Sequence, residues 1–332
     1  MSLTFQEIKT AKFKWLYFVK PTSDDIEYLR NKFNFHPLDL QDVLSPYQRP
    51  KIDQYENYIF SVLTFPYYNR ETREIHGSEV DIFISEKFLV TISDGNLPPL
   101  LNFFNQCQLN DLFRKKYFDA NPTTLLCELI NKLQLYCFPM LDHISHDIDQ
   151  VQETIFSGLE KQMVKEILAT RRNIVAFRKI MQTHRNVLSK FILNPQPLTI
   201  NSTDQTYYKN LIEQTHDIWN FLDGLKENIE ALHSTNESLI SFRLNDIIKF
   251  LTIVSVVFLP VNLVAFIFTL PTITQKSFLE NPQGLWAIIA IMITVALVMI
   301  LFFKRKKWLY LKLKNHPSIS SLLRRGTKGV VF

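Results

Sequence analysis

The sequence predicts an α/β domain joined by one long stalk helix to two C-terminal transmembrane helices. Three observations predict it. Residues 250–270 and 285–303 are apolar and contain no Asp, Glu, Lys or Arg. About 20 apolar residues at ~1.5 Å each cross a hydrocarbon core of ~30 Å. Residues 13–95 alternate short apolar runs with turns, and from 123 onward the apolar period becomes helical.

The elements follow in order. Residues 14–19, 58–66, 80–84 and 88–93 read as strands, rich in aromatic and β-branched side chains. Residues 23–33 read as a helix capped by Thr22 or Ser23, with acids in its first turn. Residues 39–44 form a second, shorter helix. Strands and helices mixed in this way predict an α/β domain. Helical texture then runs from 123 to 193, with a break near Phe156-Ser157-Gly158. Asn194-Pro-Gln-Pro197 opens a loop. From Asp204 onward there is no proline until Pro260 and only one glycine, Gly224. One helix is therefore predicted to run from the α/β domain into the membrane. So long a helix is not stable alone and needs partners along its length. The expected divisions are 1–120, an α/β domain; 121–245, its helical part and the stalk; 246–303, the hairpin, with spans about 248–270 and 285–303; and 304–332, a basic tail.

Charge sets the orientation. The formal net charge is +5. From Lys304 to the end every charged side chain is Lys or Arg, so the basic excess is a juxtamembrane tail. No nucleic-acid partner is expected. Arg243 and Lys249 flank the start of the first span, while the loop 271–284 carries one Lys and one Glu. The positive-inside rule then places both chain ends in the cytoplasm and the loop outside. Trp286 and Trp308 suit interfacial anchors. Residues 1–10 have no apolar core, so no signal peptide is expected. Three cysteines without C-x-x-C spacing fit reduced, buried thiols.

The first span carries a polar stripe. Asn245, Thr252, Ser255, Asn262 and Thr269 recur at heptad spacing with one three-residue step, so they share a helix face. Ile248, Leu251, Leu259 and Phe266 fill the same face between them. Such hydroxyls and amides can act as helix–helix glue. Aligned along a stalk, they better fit a pore in which polar rings alternate with apolar constrictions. Uncharged polar rings suit an ion that keeps its water, and Mg²⁺ dehydrates reluctantly. The second span holds only Thr294 as a polar residue and reads as the outer helix.

Several other groups carry less. Asp142, His143, His146, Asp147 and Asp149 read as a solvated helix face, and His184, His216 and His233 as surface or interface residues. Glu227, Glu230 and Glu237 read as ordinary stalk charge. No phosphate loop, H-E-x-x-H motif or nucleophile elbow occurs, and with seven glycines a phosphate cradle is not expected. The chain reads as no enzyme.

Three segments carry a family resemblance. Asn245-Asp-Ile-Ile-Lys-Phe-Leu-Thr-Ile-Val-Ser-Val-Val-Phe-Leu-Pro260 resembles the stalk end and inner helix of the CorA divalent-cation transporters. Phe302-Phe-Lys-Arg-Lys-Lys-Trp308 is similar to that family's basic ending. His36-Pro-Leu-Asp-Leu-Gln-Asp-Val-Leu44, followed by Gln48-Arg-Pro-Lys-Ile-Asp53, resembles its N-terminal signature. The resemblance implies an α/β/α sandwich, a funnel-shaped homopentamer in the cell membrane, and Mg²⁺ as both substrate and regulatory ligand. It departs at one place. Where the family has Gly-Met-Asn, this chain has Thr269-Leu270-Pro271. Asn262 is then the nearest amide expected on the axis. Zn²⁺, Co²⁺ or Ni²⁺ transport, or a non-conducting membrane-anchored sensor or scaffold, are the alternative readings.

Overall fold

The computed structural model describes residues 5–45, 48–118, 121–193, 196–198, 202–269 and 282–306. They form two compact units, 1–238 and 239–332.

The first unit is built on six strands: β1 (Gln6–Lys9), β2 (Lys14–Val19), β3 (Lys51–Gln54), β4 (Ile59–Asn69), β5 (Glu74–Ser85) and β6 (Phe88–Ser93). They form one sheet in the order β1-β2-β6-β5-β4-β3. Only β2 and β6 pair in parallel. Alternation along β2 shows how the sheet divides its side chains. Trp15 and Tyr17 enter one core, and Leu16 and Phe18 enter the other.

The Leu16 side is closed by α1 (Ser23–Phe33) and α2 (Pro37–Leu44), which contribute Ile26, Leu29 and Leu40. The Trp15 side is closed by α3 (Pro98–Leu109), α4 (Asp111–Phe118), α5 (Pro122–Leu135) and α8 (His184–Leu193). Between α5 and α8 come α6 (Cys137–Ile155) and α7 (Glu160–Met181), separated by the expected break at 156–158. The α/β/α sandwich is therefore present. Its outer strands β1 and β3, and helices α3 and α4, have no counterpart in the sequence reading. Strands β4 and β5 extend beyond the expected 58–66 and 80–84, because they pair over eleven residue positions as a long hairpin.

Thr22 is the N-cap of α1. Its side chain accepts from Asp25 N–H, and Asp25 Oδ2 accepts from Thr22 N–H at 2.8 Å, a full capping box. The signature segment 36–53 is structural. Asp39 is buried and accepts from Tyr55 (3.0 Å) and Tyr58 (2.9 Å), while Tyr58 Oη accepts from His36 N–H. Burial raises the Asp39 pKa, and the two tyrosine hydrogen bonds oppose that shift.

Helix α7 is fastened to the β4–β5 hairpin. Asn173 Oδ1 accepts from Ile75 N–H and its amide donates to Arg73 O. Gly77 serves the hairpin itself, since a Cβ there would stand 2.7 Å from Thr64 Cγ2 of β4 but at an ordinary 3.5 Å from Ile180 of α7. His184 corrects the expectation of a surface residue. It is fully buried, with Nε2 2.6 Å from Thr64 O and its ring edge-on to Phe65.

Helix α9 (Ser202–Thr269) is one uninterrupted helix of 68 residues, as expected from the proline-free run. Tyr208 and Leu211 of its first part lie in the Trp15-side core. Helix α10 (Pro282–Arg305) is the second apolar helix. Both are long and apolar enough to cross a membrane.

Candidate pore face of the first span

Successive residues of a helix are ~100° apart, so burial along α9 shows which side is covered. Ile253, Val254, Val257, Val261, Val264 and Phe268 are part-covered. This side carries no polar side chain. Helix α10 has a matching apolar set at three- and four-residue spacing, including Ile288, Met292, Val295 and Met299. Such spacing on both helices is the pattern of side-by-side packing.

The stripe lies on the opposite side of α9. Asn245, Thr252, Ser255 and Asn262 are exposed in the single chain. So are Ile248 (51%), Leu251 (56%), Leu259 (72%) and Phe266 (62%). The backbone of Thr269 closes the helix, and its side chain lies outside the described residues, as do Leu270 and Pro271. The structure thus places the described stripe residues on one face and turns that face away from the covered side. Glue between the two spans of one chain does not account for them. Thr252 Oγ1 donates back to Ile248 O at 2.8 Å, and Thr294 Oγ1 to Ala290 O at 2.8 Å. These hydroxyls meet their needs within their own helix while keeping oxygen lone pairs outward.

The groups set aside in the sequence stay apart from any site. His143 and His146 are exposed on α6, and His146 meets only Gln150 at 2.9 Å. Glu230 pairs with Arg171 and Lys226, and Glu237 with His233. Among the described residues no three His, Cys, Asp or Glu side chains converge to hold a metal ion.

An α/β/α sandwich followed by two helices long and apolar enough to cross a membrane defines the class: a membrane protein with a large α/β domain. The chain belongs to the CorA-like Mg²⁺ transporter family, whose sequence profile matches residues 10–305. The cobalt/magnesium transport protein CorA of Thermotoga maritima is 27% identical over 293 residues, covering 86% of this chain and 80% of its own. The putative metal ion transporter YfjQ of Bacillus subtilis is 25% identical over 294 residues, covering 89% of each. The complete structure of the CorA magnesium transporter from Methanocaldococcus jannaschii superposes with a TM-score of 0.78 at 19% identity, over 91% of this chain and 93% of that one.

Proposed function

We propose that the chain transports divalent cations, Mg²⁺ foremost, through an axis lined by the stripe of α9 in a homo-oligomer. One observation carries this reading: within a chain of this family, the exposed face of the first span bears amides and hydroxyls while its covered face bears none. Copies of α9 standing side by side, five by the family resemblance, would bring Asn245, Thr252, Ser255 and Asn262 to a common axis. Ile248, Leu251, Leu259 and Phe266 would form the apolar constrictions between them. Flux would be passive. A doubly charged ion moving down the membrane potential gains roughly 4.6 kcal/mol per 100 mV. The basic run from Lys304 supports a cell-membrane orientation with both ends cytoplasmic.

With Thr269-Leu270-Pro271 in place of the family's amide-bearing triplet, we assign contact with the hydrated ion to Asn262. The protein reconstituted into vesicles is expected to take up Mg²⁺ under an inside-negative potential. Asn262→Leu is expected to lower that uptake by an order of magnitude or to change its Mg²⁺ to Co²⁺ preference. Uptake and preference left unchanged by Asn262→Leu would overturn the assignment. No uptake of any divalent ion by the intact protein would favour the scaffold reading.

A further inference from the structure

A cleft of about 860 Å³ opens in the α/β domain, bounded by the end of α2 and the 48–50 segment, strands β4 to β6, and the C-terminal half of α7. Glu79 and Asp81 enter it from one face of β5, two residues apart. Their carboxyls hydrogen-bond each other, and Glu79 Oε2 also accepts from Gln48 N–H at 2.7 Å. Asp81 is 4% exposed, and among the described residues its Oδ1 has no hydrogen-bond partner. A buried polar atom left in that state costs about 1–3 kcal/mol, and more when charged.

The surrounding charge deepens the cost. Asp42 of α2 raises both carboxyl pKa values, and Asp94 after β6 raises that of Glu79. Lys51 of β3 opposes them, but its ammonium is already held by Asp42 at 2.7 Å and Asp53 at 2.6 Å. Arg49, His76 and Lys179 of α7 line the same cleft. Among the described residues none of them forms an ion pair with Glu79 or Asp81. Burial raises both carboxyl pKa values, and for Asp81 the charge of Glu79 adds to the shift. A proton shared by the two carboxyls satisfies one oxygen of each and leaves Asp81 Oδ1 bare.

We propose that Glu79 and Asp81 form a binding site for a hydrated divalent cation, Mg²⁺ by chemistry, inside a single chain. Mg²⁺ is commonly held by one or two carboxylates and keeps several of its waters. Two carboxylates in an open cleft meet that requirement without a third protein ligand. The retained waters supply the donors that Oδ1 lacks. The site needs neither assembly nor conduction. A cation held inside one chain is a different device from one held between subunits.

The test is Mn²⁺ binding, as a probe for Mg²⁺, to the full-length protein in detergent after EDTA treatment. Free Mn²⁺ is counted by electron paramagnetic resonance. Asp81→Asn and Glu79→Gln are each expected to bind one Mn²⁺ fewer per chain than wild type, with Mg²⁺ competing for the missing site. Equal stoichiometry in all three proteins overturns the proposal. Both substitutions keep side-chain shape and remove buried charge. Should one fail to fold, the other decides, and wild type itself must bind Mn²⁺ that Mg²⁺ displaces; no such binding overturns the proposal. Vesicle uptake measured in parallel separates the two readings. Uptake without the Glu79–Asp81 site sinks this inference only, and the site without uptake sinks only the transport reading.

Discussion

His184 shows how much a single residue can hide from a sequence. It sits between Thr183 and Arg185, where polar neighbours suggest a surface. Its burial comes from packing against β4, 120 positions earlier in the chain, where Nε2–H donates to Thr64 O. Its Nδ1 is buried without a partner. Burial lowers its pKa to about 4, with the Thr64 contact opposing the shift. The fold therefore holds the neutral ring, and the unfolded chain takes up a proton first as pH falls. The contribution is fully present above pH ~6.5 and is lost on acidification toward pH 4, a change on the order of 3 kcal/mol. The Glu79–Asp81 pair runs the other way, because its raised pKa values favour the folded state as pH falls. The two effects separate in a difference experiment. Thermal unfolding of metal-free wild type and His184→Gln is to be followed from pH 7.5 to 4. The gap between their midpoints is expected to narrow or reverse as pH falls, since only wild type loses the neutral ring. A gap constant across that range would show that His184 does not titrate on unfolding.

At the scale of elements, legibility followed local chemistry. Helix α1 was readable because its signals lie within its own sequence: Thr22 as cap, Asp24 and Asp25 in the first turn, Arg30 and Lys32 in the last. Thr22→Ala removes the hydroxyl that accepts from Asp25 N–H and donates to Asp25 Oδ2, and keeps the backbone N–H that donates to the same carboxylate. It is expected to cost about 1 kcal/mol, measured as a lower denaturant midpoint for the α/β domain signal in the full chain. Thr22→Ser should restore most of the loss, and an unchanged midpoint for Thr22→Ala would mean that packing alone holds α1. Strands β1 and β3 were not readable. Each has four residues, mostly polar, and owes its extended shape to pairing with β2 and β4. Helices α3 and α4 likewise take their place from aromatic contacts, such as Trp15 with Phe103 and Phe104, which join positions far apart in sequence. The Glu79–Asp81 cleft was missed for a related reason. Alternating acids on a strand read as a solvent-facing row, and only the packing of α2 and α7 around β5 buries them.

At the scale of the whole molecule, the stripe of α9 was legible because helical spacing alone assigns residues to a face. The sequence could not say what lies behind that face. The structure adds that the opposite side is apolar and covered, so the polar side is free to meet copies of itself. This arrangement makes a geometric demand that cross-linking can test. Asn262→Cys places a thiol on the proposed axis, whereas Leu297→Cys places one on an exposed face of the second span. The native thiols give little background. Cys107, Cys127 and Cys137 are buried, and burial raises their pKa values, that of Cys107 to about 12, so thiolate is scarce at neutral pH. In native membranes a short bismaleimide is expected to join Asn262→Cys chains into covalent dimers, the limit for one reactive thiol per chain, and to leave Leu297→Cys chains single. Excess wild-type chain, co-assembled, should weaken the Asn262→Cys dimer band by dilution if the contacts lie within defined assemblies. Cross-linking at Leu297→Cys with none at Asn262→Cys would place the second span at the centre, and the lining assigned to α9 would fall with it.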